Sequence, residues 1–134
     1  MADILTKIFG SKHEKDIKKI RPVVGEINRI YEEMHSLTDE ELKAKTDEFK
    51  AYIKEQASEL EQEEQQLIDK LQNEAPDAAE TSRINGRLKK IEEELHEVIE
   101  VAMEDILPEA FAAVKQACKR LKEAEYTYEY AGQQ

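Results

Sequence analysis

Glu93 and His96 stand three residues apart in "IEEELHEVIE", with Glu97 and Glu100 close behind. On a helix this Glu-x-x-His spacing turns a carboxylate and an imidazole to one side, the half-site from which di-iron bundles are built. Such a centre needs a second copy of the motif and carboxylates from two further helices, and the chain holds one copy only. An acidic helix yields one match easily by chance, so no metal ligand is expected. Cys118 has Lys115, Lys119 and Arg120 as basic neighbours but no histidine near it in sequence, so it lacks the base that a nucleophile requires. On an apolar helix face it reads as a small buried hydrophobe in a reducing compartment. His13 and His35 fall near expected helix ends, where surface or capping roles are the rule. The glycines at 10, 25, 86 and 132 fit neither G-x-x-x-x-G-K-[ST] nor G-x-G-x-x-G, so no phosphate loop for a nucleotide can be drawn. From the residues alone there is no catalytic, cofactor-binding or metal-binding side chain to assign.

The elements that carry these residues are expected to be helices. In 134 residues, four glycines and three prolines leave little turn material, and Glu, Lys, Leu, Ala and Ile abound. With 38% charged residues and a mean hydropathy of -0.76, apolar material for a thick core is limited. The expectation is an all-α fold of elongated helices. Ile17, Ile20, Val24, Ile27, Tyr31 and Met34 step by threes and fours, a heptad seam on one helix from about His13 to His35, bent at Pro22. Thr38 with Glu41 forms a capping box, and the apolar positions Leu42, Phe49, Ile53, Leu60, Leu67 and Leu71 carry a second helix to about Gln72. "NEAPDAAETS" interrupts, with Thr81 or Ser82 expected to cap the next helix. Ile84, Leu88, Ile91, Leu95, Val98 and Ala102 then repeat as heptads. Two matched stripes joined by a short polar link should fold back as an antiparallel hairpin, an arm of about 35 Å for some 24 residues.

Pro108 suits the first turn of a new helix, on which Phe111, Val114, Cys118 and Leu121 make one apolar face. That face is expected to pack on a following domain, on the Ile17 to Met34 seam, or in another chain. Tyr126, Tyr128 and Tyr130 alternate with polar residues, so a short β segment is expected at the C-terminal end. The chain thus reads as three parts: 1–53, an N-terminal helical segment; 54–107, the charged arm; and 108–134, a helix and lead-in.

The net charge of -11 is unevenly spread. Residues 1–29 carry seven basic and four acidic side chains, while residues 54–107 carry six basic and sixteen acidic. A mostly acidic chain is a poor nucleic-acid ligand, so no nucleic-acid partner is expected. The basic start is different. Ile4, Leu5, Ile8 and Phe9 beside Lys7, Lys12, Lys15, Lys18, Lys19 and Arg21 could rest on an anionic membrane surface, or form an ordinary solvated helix face. No apolar run is long enough for a signal peptide or a membrane span, so a cytoplasmic location is expected.

Three blocks in order resemble the N-terminus of the SecA family, the ATPase motors of bacterial preprotein secretion. They are "LTKIFG" from Leu5 to Gly10, "LTDEELKAKTDEF" from Leu37 to Phe49, and "LPEAFAAVK" from Leu107 to Lys115. The family joins its second and third blocks by a short linker, whereas this chain inserts the charged arm. The family also continues into an adenine-reading glutamine motif and a phosphate loop, which are not among these residues, so an N-terminal fragment is expected. The resemblance implies a parent that uses ATP and magnesium, binds the SecY channel complex, anionic lipid and preproteins, and works on the cytoplasmic side of the inner membrane. It implies that this part is not itself catalytic, that its basic start touches lipid, channel or a second copy, and that a homodimer is a candidate state. The rival reading is a free-standing helical adaptor that dimerises through its heptads and carries no ATPase.

Overall fold

The structure, a computed structural model, describes residues 12–124, with side chains from residue 14 onward. Three helices account for nearly all of them: α1 (Lys12–Glu33), α2 (Asp39–Asn73) and α3 (Ala78–Glu123), with a single 3-10 turn, Met34–Ser36, between the first two. The fold is all-α. The expected β segment at Tyr126 to Tyr130 lies outside the described residues. Pro22 sits inside α1, as the uninterrupted apolar register requires.

Pro108 sits inside α3 as well, which corrects the expectation of a helix start there. A proline removes one intrahelical hydrogen bond and strains the turn before it, at a cost of about 3 kcal/mol. Here packing flanks it on both sides, since Ala102 and Ala112 are both buried, and the helix runs through.

Local chemistry fixes the other boundaries. The Thr38 backbone N–H donates to Glu41 Oε2 at 2.7 Å, and the Glu41 N–H donates back to Thr38 Oγ1 at 3.2 Å. This is the capping box, and these bonds hold the Glu41 carboxyl below its usual range. At the start of α3 the cap is Asp77, not Thr81 or Ser82, because its Oδ1 accepts from the Glu80 N–H at 2.8 Å. Thr81 instead donates its hydroxyl to the Pro76 carbonyl at 3.3 Å. The link between α2 and α3 turns at Ala75, whose φ of 44° lies in the left-handed region that usually takes glycine.

The chain divides into two compact units, one of Met1–Lys43 with Pro108–Gln134 and one of Ala44–Leu107. In the second, α2 and α3 run antiparallel. Tyr52 meets Asp105, Glu63 meets Arg87, and Lys70 meets Glu80, so positions rise on one helix as they fall on the other. The heptads of α3 bury unequally: Ile84, Ile91 and Ala102 are buried, while Leu88, Leu95 and Val98 are half-buried. From α2 the buried residue is Ala57, a small side chain that lets the helices approach.

Polar clips close the arm along its length. Arg87 donates to Glu63 Oε2 at 2.6 Å across the pair and to Glu94 Oε1 at 2.8 Å on its own helix. The guanidinium holds the Glu63 carboxyl below its usual range, and the two carboxylates hold Arg87 in its charged form. Lys70 donates to Glu80 at 2.5 Å, which raises the lysine pKa. The Tyr52 hydroxyl donates to Asp105 Oδ2 at 3.0 Å, and that bond pushes the phenol up.

Candidate functional site

In the unit of Met1–Lys43 with Pro108–Gln134, a seam joins the second half of α1 to the last third of α3. Met34, Leu42 and Ala112 form its core, with Ile27, Ile30, Tyr31, Leu37, Ala113 and Ala117 packed around them. The face that α3 offers is small. Ala112 is 0% exposed, whereas Phe111 and Val114 are 56% and 61% exposed. The face of Phe111, Val114, Cys118 and Leu121 therefore does not fold back on the Ile17 to Met34 seam, and Cys118 is exposed rather than a buried hydrophobe. The reason is steric: large residues on α1 fit against alanines on α3, and a phenylalanine at the crossing would hold the helices apart.

Arg120 fastens this seam. Its Nη1 donates to Asp39 Oδ1 at 2.6 Å, and its Nη2 donates to the carbonyls of Leu37 at 2.6 Å and Met34 at 3.4 Å. These carbonyls belong to the turn between α1 and α2, where helical partners run out. Lys119 Nζ donates to His35 Nε2 at 3.2 Å, which leaves the ring hydrogen on Nδ1, 3.0 Å from the Glu32 carbonyl that accepts it. Lys115 donates to Asn28 Oδ1 at 2.7 Å and lies 4.0 Å from the centre of the Tyr31 ring, itself edge-on to His35. The three cations of α3 all grip α1 and the turn. Sequence reading noted Lys115, Lys119 and Arg120 only as neighbours of Cys118; their recurrence within the last turns of a helix was the available signal.

One atom in the seam is unsatisfied. Gln116 is 3% exposed, and its Oε1 is buried without a hydrogen-bond partner in the structure. A buried acceptor left alone costs about 1–3 kcal/mol.

The seam uses only half of the α1 stripe. Ile27, Tyr31 and Met34 pack, whereas Ile17, Ile20 and Val24 are exposed, Ile20 at 57%. Of the residues expected to contact lipid or channel, Lys15, Lys18, Lys19 and Arg21 are exposed on this same first half. Lys12 lies on α1 but its side chain is not described, and Ile4, Leu5, Lys7, Ile8 and Phe9 fall outside the described residues. What the structure brings together on α1 is thus an unpacked apolar stripe and four cations. Further along, Arg29 is drawn into ion pairs with Glu26 and Glu33, which keep it charged and lower the Glu26 carboxyl.

Glu93 and His96 point into an open surface groove with Lys89, Glu92 and Glu97. The ring Nδ1 is 3.6 Å from Glu100 Oε1, and both side chains are exposed. Among the described residues no three His, Cys, Asp or Glu side chains converge as a metal site would need. Both described glycines, Gly25 and Gly86, lie inside helices. Among the described residues, too, no helix is long and apolar enough to cross a membrane.

Residues 5–133 match the family model described as the SecA DEAD-like domain. Similar proteins include the protein translocase subunits SecA of Prosthecochloris aestuarii and Chloroherpeton thalassium. Each is 44% identical over 126 residues, covering 94% of this chain and 12% of the relative. That of Chlorobaculum tepidum is 37% identical over 127 residues, 95% of this chain and again 12% of the relative. The chain thus spans about an eighth of the length of these curated relatives. No solved structure matches it.

Proposed function

The chain belongs to the SecA family, and from that premise we propose that it is the opening helical scaffold of an ATP-driven preprotein translocase. In this reading the seam and its Arg120 clamp fix α3 so that Phe111, Val114, Cys118 and Leu121 face outward. The rest of the DEAD-like domain of the full-length relatives packs on that face. The observation that carries the reading is this division of α3: alanines are buried inward while the large apolar residues stay exposed. In the same reading, ATP and magnesium are held by other parts of the full-length protein.

The exposed first half of α1 supplies the second role. Ile17, Ile20 and Val24 with Lys15, Lys18, Lys19 and Arg21 suit contact with anionic lipid or the SecY channel complex on the cytoplasmic side of the membrane. Preproteins are the cargo of the whole motor rather than of this segment.

A chimera tests the scaffold. This chain replaces the matching segment of the Prosthecochloris aestuarii SecA, and ATP-dependent entry of a preprotein into inverted membrane vesicles is measured. Translocation is expected, together with its loss when Phe111→Ser and Val114→Ser are introduced. A folded chimera with no translocation would sink the proposal. For the membrane role, flotation with anionic vesicles should weaken as salt rises and on changing Lys15, Lys18, Lys19 and Arg21 to Glu. Unchanged flotation would remove it.

A further inference from the structure

The arm has a face that its own packing leaves open. From Ile91 to Leu107, α3 carries seven carboxylates and no lysine or arginine. Glu94 is paired with Arg87, Asp105 accepts from Tyr52, and Glu100 lies beside His96. Glu92, Glu93, Glu97 and Glu104 make no ion pair among the described residues. Val98 and Val101 line a shallow groove of 310 Å³ with Gln56, Glu97, Ala102 and Asp105, and Val101 is 58% exposed in it. Glu97 and Glu104 stand four residues before and three after Val101, on the same side of α3. On α2, Glu59 lies three residues beyond Gln56 and is exposed as well. The groove thus has an apolar floor and a rim of carboxylates.

Such a groove selects its occupant by chemistry. Apolar side chains alone would cover Glu97 and Glu104 without a counter-charge, a cost that only cations remove. A cationic segment without apolar residues would pair with the carboxylates but leave Val98 and Val101 in water. A helix with an apolar stripe edged by lysine or arginine meets both needs. Glu97 and Glu104 are seven residues apart, about 10 Å along the axis, so cations two turns apart on that helix reach both. The source is a different protein, because a second copy carries the same net charge of -11. Residues 54–107 hold sixteen acidic against six basic side chains, and the field around them repels this chain and draws in a basic one. We propose that the acidic groove of the arm docks a basic amphipathic helix of a partner protein. Apolar residues of that helix cover Val98 and Val101, and its cations meet Glu97 and Glu104. The contact gives the inserted arm a role in recognition, independent of whether the translocase reading holds.

The probe is a synthetic peptide of about 18 residues, with leucine at every third or fourth position and lysine along both edges of that stripe. Its binding to the full 134-residue chain is followed by fluorescence anisotropy. One-to-one binding that weakens with added salt is expected. Glu97→Lys with Glu104→Lys should raise Kd about tenfold, and Val101→Ser about threefold. Glu61→Lys with Glu92→Lys makes the same charge change away from the groove and should alter Kd less than about twofold. Replacing the leucines of the peptide by serine should weaken binding about tenfold. Far-ultraviolet circular dichroism checks each variant, and these exposed side chains carry none of the arm's clips. No binding overturns the proposal. So does binding that ignores Glu97 and Glu104, which would place the peptide on the Phe111 face. An equal loss from the Glu61 and Glu92 pair, or equal binding of the serine peptide, reduces the contact to overall charge and overturns it too. Sedimentation of the chain alone covers the other occupant: self-association abolished by Glu97→Lys with Glu104→Lys would assign the groove to a second copy and likewise overturn the proposal.

Discussion

In the arm, Ile91 is wholly buried, and Arg87 crosses to a carboxylate, Glu63, 24 residues away. In the seam, the most buried side chains of α3 are Ala112 and Gln116, and Arg120 crosses to backbone carbonyls and Asp39, more than 80 residues away. The arm coheres by interlocking apolar side chains with ion pairs outside them. The seam coheres by close approach of small residues and by one guanidinium that satisfies a turn. The first arrangement tolerates loss of a surface charge and suffers from a cavity, and the second does the reverse.

The largest contrast should come from Ile91→Ala. Truncating a fully buried isoleucine costs about 2–5 kcal/mol. In urea unfolding followed by residue-resolved hydrogen exchange, amides of 44–107 should lose protection while those of the seam keep theirs. Loss of protection in both units alike would mean that they unfold as one and would break the comparison. Arg120→Gln should strike the other unit, by about 2 kcal/mol, since bonds from a charged donor to otherwise unpaired carbonyls are lost. Exchange should quicken over Ile27 to Leu37 and stay slow at Ile91.

Gln116→Met should go the opposite way and stabilise the seam by about 1 kcal/mol, because it removes the lone buried acceptor at similar volume. A loss of stability would show that Oε1 has a donor in solution. The smallest effect is acidic. Arg87 depresses the Glu63 carboxyl below its ordinary 4.5, so the folded state binds this proton less readily than the unfolded one. The clip is fully present above the ordinary value and is lost as pH falls through the depressed one. Arg87→Gln should flatten that part of the arm's acid unfolding curve. An unaltered curve would show that the clip contributes nothing.

Sequence reading succeeded where the cause was local. The capping box at Thr38 and Glu41 depends on residues three apart, and the heptads around Ile84 and Ile91 fix which side of α3 faces α2. It failed where two local rules competed. Pro108 satisfies the preference for a helix start as well as tolerance within a packed helix, and only burial of Ala102 and Ala112 decides between them. The last third of α3 carries two apolar stripes, and bulk pointed to Phe111 and Val114. The seam instead selects alanines, because Ile27, Ile30, Tyr31 and Met34 already fill the space from the other side. Arg120 was hidden for a related reason: its partners are carbonyls, which no residue type announces.

The partners of the seam are far apart in the order of synthesis. Asn28, His35 and Asp39 await Lys115, Lys119 and Arg120, which are 87, 84 and 81 residues later. Lys70 and Glu80 are separated by only 10. At about 5–20 residues per second of translation, α1 is complete for about 4–17 s before its clamp has been made. The arm can zip from its tip within that interval, since its closing loops are short. Until then Ile27, Tyr31 and Met34 lack the alanines of α3 on which they pack in the folded chain, so the seam is the later of the two units to close.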